Sequence, residues 1–408
     1  MNNRSAESMA DHKKTVLVVG GGVAGISAAL DLAAGGQRVH LVERGHDLGG
    51  QVARLDKFYP TDHCAFCPLW TEIRRCKEDE SITVHTLSRV ETLEPREGKH
   101  QALVVESAPV VEPSLCINCG RCETACPKGV AKPIWEHAYP PVYLIDRDRC
   151  GDCRACADVC PTKAIAFDRE ERKIELDVDE VIWAAGFDEV SLAPMKEYGW
   201  GTHPDILTSL EFEAWKAEAG ENRGKILRRS DRAVPRSIAF IQCAGARDLR
   251  LLPHCSAVCC MHALKQAQWV KRRTPEVDCV ILYTDLRTVG RDYYEYALRD
   301  FNGNGVRLVR GRPSMIYPLP GGGIAVRYED TPTGKREIRK FDMVVLNGNL
   351  QSTLALRPVP GAGPELTGEG FVTAASVSCG FVMEPADVTE SAIQASSAAL
   401  RSILGTKG

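Results

Sequence analysis

The residues with the most specific chemistry are cysteines that occur in two runs of the same spacing. The chain has 17 cysteines, and the pattern C-x2-C-x2-C-x3-C-P occurs at residues 116–127 and again at residues 150–161. A cube of iron and sulfide ions needs four thiolates, three from one tight loop and the fourth from the other run. We therefore predict two [4Fe–4S] clusters. One is held by Cys116, Cys119, Cys122 and Cys160, and the other by Cys150, Cys153, Cys156 and Cys126.

Zinc is the alternative occupant of such runs, because it also binds C-x2-C pairs. Two complete four-cysteine runs, each followed by a proline (Pro127 and Pro161), favour iron–sulfur clusters. The run is typical of bacterial ferredoxins. The prolines and short polar turns around it predict a small inserted domain that carries single electrons.

A further group of cysteines has a less familiar spacing. Cys243, Cys255, Cys259 and Cys260 form the pattern C-x11-C-x3-C-C, which leads into a predicted helix. Buried cysteines are common, and adjacent ones often only pack against their neighbours. The spacing alone leaves a metal site and a packing role equally open.

The remaining cysteines have no metal-site spacing. Cys64 and Cys67 form a C-x2-C pair, which in an oxidoreductase suggests a redox disulfide. A contact with a cluster or partner and a purely structural role are the alternatives. We expect Cys76, Cys279 and Cys379 to be inert.

A nucleotide site is indicated near the start of the chain. An apolar run from residue 15 meets a glycine cluster and is followed by helical spacing, which predicts a strand, a tight turn and a helix. Gly20, Gly22 and Gly25 fit G-x-G-x-x-G, in which glycines let the backbone approach a pyrophosphate at the helix N-terminus. Glu43 ends the next predicted strand, where a carboxylate binds ribose hydroxyls.

FAD is the predicted dinucleotide. Gly49 and Gly50 follow Glu43 closely, and a glycine pair there resembles FAD-dependent disulfide reductases. The turn that ends in Gly186 resembles the end of a flavin-domain strand. Asp387 resembles a flavin contact before the C-terminal helix, with N-capping of that helix as the alternative.

A second strand and helix domain follows, without a second glycine fingerprint. After the predicted strand at residues 237–242, an NAD(P)H-dependent reductase would have G-x-G-x-x-G, whereas this chain has Cys243-Ala-Gly-Ala-Arg-Asp248. Direct reduction by NAD(P)H is therefore not expected.

Composition sets outer limits on the function. The formal net charge of −3 gives no broad field for nucleic acid, and no apolar run reaches the roughly 18–20 residues needed to span a bilayer. Residues 1–14 lack the apolar core of a secretion signal. Cysteines at metal-site spacing then favour the reducing cytoplasm, with any membrane contact made through another subunit.

The predicted fold class is α/β. It comprises two Rossmann-like domains of the thioredoxin or disulfide reductase kind and an inserted ferredoxin domain with two [4Fe–4S] clusters. The expected segments are an FAD domain at 1–111, the ferredoxin insert at 112–168, the rest of the FAD domain and a connection at 169–236, a second Rossmann-like domain at 237–346 and a return to the FAD domain at 347–408. Residues 195–236, rich in charge, glycine and proline, are expected to form a surface connection with one helix near 210–219.

These features together resemble the A subunits of heterodisulfide reductases. The resemblance covers nearly the whole chain. Within that group, Gly224-Lys-Ile-Leu-Arg-Arg-Ser-Asp231 and Leu252-Pro-His-Cys255 look most like the A subunits of quinone-interacting membrane-bound oxidoreductases. The motifs that carry the family likeness are the glycine turn, Cys64-Ala-Phe-Cys67, the two ferredoxin runs, Phe240-Ile-Gln-Cys-Ala-Gly-Ala-Arg-Asp248 and His254-Cys-Ser-Ala-Val-Cys-Cys-Met-His-Ala-Leu-Lys265.

The resemblance implies properties that the residues alone do not. It implies a third [4Fe–4S] cluster on Cys243, Cys255, Cys259 and Cys260, and a lysine near the flavin at Lys265, for which a solvent-facing helical lysine is the alternative. It also implies B and C partner subunits, the C subunit bringing membrane haem and quinone contact, and electron exchange with adenylylsulfate reductase.

Three other functions compete with this quinone-linked electron-transfer subunit. The first is a heterodisulfide reductase A-like subunit of a soluble bifurcating or sulfur-oxidising complex. The second is a self-sufficient NAD(P)H-dependent reductase, whose flavin NAD(P)H would reduce rapidly. The third is a non-catalytic cluster scaffold, which would bind iron but no flavin.

Overall fold

The computed structural model describes residues 13–133, 142–145, 147, 149–217, 222–301 and 305–405. The polar tail expected before residue 13 and the last residues of the helix predicted at 210–219 lie outside this described part.

The described elements alternate between strands and helices along most of the chain. The strands are β1 (Thr15–Val19), β2 (Arg38–Val42), β3 (Ile82–His85), β4 (Ser88–Arg96), β5 (Lys99–Glu106), β6 (Ala131–Pro133), β7 (Tyr143–Ile145), β8 (Arg172–Val178), β9 (Glu180–Trp183), β10 (Phe187–Glu189), β11 (Ile206–Thr208), β12 (Ser237–Ile241), β13 (Asp278–Tyr283), β14 (Val306–Arg310), β15 (Pro313–Pro318), β16 (Ile324–Asp330), β17 (Lys335–Phe341), β18 (Met343–Leu346) and β19 (Leu350–Ser352). The helices are α1 (Val23–Ala34), α2 (Phe66–Glu78), α3 (Arg121–Ala125), α4 (Ala155–Asp158), α5 (Ser209–Lys216), α6 (Cys259–Arg273), α7 (Tyr293–Phe301), α8 (Thr353–Leu356) and α9 (Val388–Leu404), with short 3-10 turns at Gly50–Arg54, Lys196–Tyr198 and Gly380–Val382.

The first Rossmann-like sheet has the strand order β3-β2-β1-β9, and all of its pairs are parallel. Helix α9 packs on α1 through small residues, with Ala395, Ala398 and Ala399 in the same core as Ala28 and Ala29. Alanine at the contact lets the two helices approach closely, so the C-terminal helix closes one face of this sheet.

The cysteine-rich segment is inserted between two paired strands of a neighbouring sheet. Strands β4, β5 and β8 form an antiparallel sheet, in which Glu106 at the end of β5 is paired with Arg172 at the start of β8. Because the two ends are already adjacent, residues 107–171 extend from the sheet without interrupting its hydrogen bonds. Within this segment, β6 and β7 form a small antiparallel pair.

The second Rossmann-like sheet has the order β11-β18-β12-β13-β14, also with parallel pairs. Its strands β18, β12 and β13 are apolar on both faces, as expected for strands covered on both sides, whereas the edge strand β14 has exposed arginines at 307 and 310. An antiparallel sheet of β15, β16 and β17 packs beside it through Ile316, Val326 and Phe341.

Two sequence expectations need correction here. The single strand expected at 336–346 is two strands, because the chain passes from the antiparallel sheet (β17) to the parallel sheet (β18) at Asp342, whose carboxylate accepts the Arg236 backbone N–H at 2.6 Å. The surface connection expected at 195–236 is also wrong for much of its length. Its β11 lies at the edge of the second sheet, and Met195, Tyr198 and Phe212 are buried.

A matched pair of substitutions on β17 tests this packing. Phe341→Ala removes a fully buried ring, which costs about 3–5 kcal/mol, so we expect the thermal midpoint of the intact protein to fall by about 4–6 °C. Ile338→Ala, on the same strand with 64% exposure, should change it by about 1 °C or less. Equal shifts in scanning calorimetry would contradict the assigned burial.

Candidate functional site

The largest described cavity lies at the carboxyl ends of β1 and β2. It has a volume of about 710 Å³ and is lined by the glycine turn after β1, by residues 42–54 and by residues 184–187. Residues 357–360 and the start of α9 complete the wall. In parallel α/β sheets, ligands bind at this carboxyl edge.

The glycines of the fingerprint are required by close backbone approaches. A Cβ atom on Gly25 would lie 1.8 Å from the Gly20 carbonyl oxygen, and one on Gly20 would lie 2.4 Å from the Ala184 carbonyl oxygen. Gly22 precedes α1, has no side chain to cap it, and lines the cavity together with Val23. The N-terminus of α1 is therefore open to a phosphate group.

Glu43 lies at the predicted position and is fixed by the turns around it. One carboxylate oxygen accepts the Gly21 N–H at 2.7 Å, and the other accepts the Gly45 N–H at 2.6 Å. Burial raises the pKa of Glu43 despite these two hydrogen bonds. The side chain lines the cavity beside the glycine turn, which fits a ribose-binding carboxylate.

The other predicted FAD residues also line this cavity. Gly49 (φ +122°) donates its N–H to the Gly21 carbonyl at 2.7 Å, and Gly50 (φ +54°) and Gly186 (φ +69°) have left-handed backbones as well. Asp387 is part of the lining and also caps α9, where its carboxylate accepts the Glu390 N–H at 2.8 Å and the Tyr293 hydroxyl. The cavity and its glycine backbone thus fit a dinucleotide.

Two small cavities in the insert are lined by the two predicted cysteine sets. Burial raises the pKa of Cys122 to about 11 and also raises the pKa of Cys156, the innermost cysteine of each set. One cavity is lined by Cys116, Cys119, Cys122 and Cys160, and the other by Cys126, Cys150, Cys153 and Cys156. In each, three cysteines of one run meet the fourth of the other, as a cube requires.

The two runs repeat one local structure. Asn118 and Asp152 have left-handed φ values of 52° and 51° at matching positions. The thiols of Cys126 and Cys160 each accept a backbone N–H from the residue four positions further on, both at 3.3 Å. This internal repeat explains why each run completes the cavity of the other.

The described residues contain no group of three or more Cys, His, Asp or Glu side chains arranged around a single metal ion. The four thiolates of a cube each bind a different iron, so they are spaced more widely than the ligands of one ion.

The structure also brings together the second group of cysteines. Cys243 follows β12 with a left-handed φ of 56°, while Cys259 and Cys260 form the first turn of α6. Burial and the nearby thiols of Cys259 and Cys255 raise the pKa of Cys243 to about 11. A hydrogen bond with the Cys259 thiol lowers the pKa of Cys260, although burial and the nearby Cys243 and Cys255 thiols act in the opposite direction. Four thiols in one small region fit a further cluster.

Lys265 does not line the 710 Å³ cavity. It is only 3% exposed, so it is also not the solvent-facing lysine that was the alternative. Its ammonium donates to the Glu213 carboxylate at 2.8 Å and to the Lys57 carbonyl at 2.9 Å. Burial lowers its pKa.

Glu213 is the centre of a buried polar network that sequence reasoning missed. Its carboxylate accepts the Asp56 N–H at 3.1 Å and the Gln266 amide at 2.9 Å, in addition to Lys265. Burial would raise the pKa of Glu213, but the charges of Lys216 and Lys265 outweigh burial and hold it well below its usual range. The sequence does contain a sign of this network: positions 262, 265 and 266 are polar and lie on one face of α6.

Comparisons with known proteins agree with the dinucleotide cavity and with the cysteine cavities of the insert. Residues 15–101 match the family described as FAD dependent oxidoreductase, and residues 115–165 match the 4Fe-4S dicluster domain. Thioredoxin reductase from T. acidophilum superposes with a TM-score of 0.55 at 12% identity, covering 96% of this chain and 99% of that one. Thioredoxin reductase from Lactococcus lactis gives 0.52 at 14% identity, covering 97% and 100%. The fold and site therefore define an FAD-dependent oxidoreductase of the disulfide reductase fold with a [4Fe–4S] dicluster domain.

Sequence relatives narrow this class further. The chain is 33% identical to the A subunit of the H2:CoB-CoM heterodisulfide,ferredoxin reductase of Methanothermobacter marburgensis, over 95% of this chain and 63% of that protein. It is 36% identical to the iron-sulfur A subunit of the CoB–CoM heterodisulfide reductase of Methanocaldococcus jannaschii, over 83% and 54%. The chain is thus a homologue of heterodisulfide reductase A subunits and spans about half to two thirds of their length.

A glycine pair tests the dinucleotide cradle. Gly25→Ala places a methyl group against the Gly20 carbonyl, so we expect the purified variant to lose most of its FAD, measured by absorbance after denaturation. Gly368→Ala is the control, because nothing lies within 4 Å of its Cβ position. Normal FAD content in the Gly25 variant would mean that the nucleotide lies elsewhere.

Substitutions of Asp387 can separate its two candidate roles, contact with the flavin and N-capping of α9. Both carboxylate oxygens already have protein partners, so we expect Asp387→Ser, which keeps an N-capping oxygen, to retain FAD and stability. Asp387→Ala should lose about 1 kcal/mol through the missing cap. If Asp387→Ser lost FAD while its thermal midpoint stayed unchanged, the carboxylate would be a flavin contact.

Proposed function

We propose that this chain is an electron-transfer subunit that passes electrons between an FAD and the clusters of its ferredoxin insert. The observation that carries this proposal is the presence, in one chain, of a dinucleotide cavity and two cross-paired four-cysteine cavities. When bound, FAD exchanges electrons in pairs and each [4Fe–4S] cluster exchanges them singly, so the subunit would link two-electron and one-electron carriers.

The surface of the insert supports electron exchange with another protein. Ile117 and Leu115, which are 63% and 46% exposed, lie next to Cys116, and Ile117 lines the cavity of the first cysteine set. Cys119 and Cys153 are exposed as well. An apolar surface over a cluster allows a partner to approach it closely.

The third cluster is part of the proposal. Cys243, Cys255, Cys259 and Cys260 would hold a third [4Fe–4S] cluster, and Arg247, which pairs with Asp285 at 2.8 Å, adds a positive charge near Cys243. This charge would stabilise the excess negative charge of four thiolates around a cube.

The physiological setting that we propose is quinone-linked. In that setting B and C subunits complete the complex, the haem-bearing C subunit contacts the membrane, and adenylylsulfate reductase is the cytoplasmic partner. The motifs 224–231 and 252–255 support this assignment. None of the described helices is long and apolar enough to cross a bilayer, so in this proposal the membrane contact belongs to a partner.

A soluble complex of the heterodisulfide reductase kind is the second candidate. The names of the homologues support it, since several are A subunits of heterodisulfide reductases, such as the ferredoxin:CoB-CoM heterodisulfide reductase subunit of Methanosarcina mazei, at 35% identity over 84% of this chain. In that setting a soluble reductase subunit would replace the haem protein.

The cofactor content is the first test. Anaerobically purified chain should contain one FAD and about twelve irons with equal acid-labile sulfide, which corresponds to three cubes. Cys259→Ala with Cys260→Ala should lower iron to about eight while FAD stays. Eight irons in both proteins would remove the third cluster. Iron without flavin would instead indicate a cluster scaffold and overturn the electron-transfer proposal.

The cross-pairing predicts which cysteines share a cluster. Cys160→Ser and Cys116→Ser should change the same signal in the electron paramagnetic resonance spectrum of the reduced protein, while Cys126→Ser should change the other one. If Cys160→Ser instead changed the same signal as Cys150→Ser, each run would hold its own cluster.

The partner settings are separated by isolating the native complex. A tagged chain from detergent-extracted membranes should bring down a subunit with a b-type haem spectrum if the quinone-linked proposal holds. Recovery from the soluble fraction with a heterodisulfide reductase B-like subunit and no haem would support the second candidate. Rapid flavin reduction by NAD(P)H in stopped-flow measurements would contradict both.

A further inference from the structure

Cys64 and Cys67 form a pair of thiols at the N-terminus of α2, outside all the cysteine sets described above. Cys64 precedes the helix, and Cys67 lies in its first turn. Cys64 is half-buried and Cys67 is exposed. The Cys67 thiol and the backbone N–H groups of Cys67 and Phe66 lie close enough to the Cys64 sulfur to interact with it by hydrogen bonding.

The two thiols differ in reactivity. Burial alone would raise the pKa of Cys64, but these three hydrogen bonds and the charge of Lys57 outweigh burial and lower it. Donation to Cys64 raises the pKa of Cys67. A thiolate is the form that attacks a disulfide, so Cys64 is suited to be the nucleophile and Cys67 to resolve the mixed disulfide.

The segment before the pair is firmly held. The Ala65 N–H donates to the Asp56 carbonyl at 3.2 Å, and the Phe58 N–H donates to the His63 carbonyl at 2.9 Å. Asp56 and Lys57 are in turn fixed by the Glu213 network. Cys64 is therefore positioned by the fold rather than by its contact with Cys67.

The other three cysteines outside the cluster sets provide a contrast. Cys76, Cys279 and Cys379 are buried, and burial raises the pKa of Cys76 and of Cys379 to about 12. These are properties of inert packing thiols. The exposure and contact of Cys64 and Cys67 set that pair apart.

We propose that Cys64 and Cys67 are a redox-active dithiol that undergoes exchange with small-molecule disulfides. The Cys64 thiolate attacks one sulfur of the disulfide, so that a mixed disulfide forms and one thiolate leaves. Cys67 then loses its proton and attacks the Cys64 sulfur, which closes the Cys64–Cys67 disulfide and releases the second thiolate. Two electrons pass from the pair to the external disulfide, and a dithiol reverses the reaction.

The sequence allows this to be measured despite the many other cysteines. Trypsin releases residues 58–74 as a peptide with Cys64 and Cys67 as its only cysteines, and residues 274–287 as a peptide with Cys279 alone. The holoprotein is equilibrated anaerobically in mixtures of glutathione and glutathione disulfide, quenched with an alkylating agent under denaturing conditions, digested and analysed by mass spectrometry. We expect peptide 58–74 to change reversibly from doubly alkylated to internally disulfide-bonded, while peptide 274–287 stays alkylated.

Single variants identify the roles of the two thiols. Cys67→Ser should leave Cys64 trapped as a mixed disulfide with glutathione. Cys64→Ser should make the reaction with glutathione disulfide about tenfold slower or more, because Cys67 alone has little thiolate. Iron and FAD contents should stay unchanged in both variants, which separates this proposal from the cluster proposal.

Two outcomes would overturn the inference. If peptide 58–74 stayed doubly alkylated at every glutathione ratio, the pair would be structural. If iron content fell in Cys64→Ser, the pair would instead be cluster ligands.

Discussion

A buried carboxylate, Glu213, holds the first Rossmann-like domain against the second. It has no exposed surface, and an isolated charge in such a place would be strongly unfavourable. The ammonium groups of Lys216 at 3.3 Å and Lys265 at 2.8 Å balance the negative charge of Glu213. The Asp56 backbone N–H also donates to this carboxylate, so the loop after Gly50–Arg54 belongs to the same network. The loop that follows the FAD cavity wall is thus fixed by α5 and α6, the helix that begins with Cys259. This contact couples the position of the flavin cavity to that of the second cysteine group, because breaking it would leave a buried charge unpaired.

The ferredoxin insert uses a different means of fixing its position. Each cysteine cavity needs one thiol from the other run, so neither half of the insert can complete a site alone. The insert leaves the sheet after Glu106 and returns to it at Arg172, and the pairing of these two residues continues an existing sheet. A self-completing unit attached at two adjacent strand ends can be inserted without repacking either Rossmann-like core. This explains how a one-electron module is accommodated in a two-electron flavoprotein fold.

The sequence was informative at positions where a local site requires one residue type. It was uninformative at positions whose environment is set by packing against distant parts of the chain. Glycines without room for a Cβ atom, Glu43 before a turn, and cysteines at cube spacing are each required by local geometry, so spacing alone located them. The pairing of β11 with β18 joins residues more than 130 positions apart, and no local pattern encodes such a contact. The burial of Lys265 was not foreseen for the same reason: its partners Glu213 and Lys57 lie 52 and 208 positions away, and a lysine on a helix normally faces water. The charges in residues 195–236 suggested a surface loop, yet Asp205 is buried, where its carboxylate accepts the backbone N–H groups of Arg229 and Ser230.

The loop after β12 bears most directly on which kind of electron carrier the chain can use. In a second dinucleotide site, the strand would turn tightly into a helix whose N-terminus faces phosphate. Here Cys243 takes the left-handed turn position, and α6 begins only at Cys259 after an intervening loop that contains Cys255. The start of α6 consequently carries thiols, and the loop before it lacks the G-x-G-x-x-G fingerprint that receives a pyrophosphate. Under the proposed function, the edge of the sheet that would accept a hydride donor instead carries a cluster, so the flavin would exchange electrons with clusters one at a time.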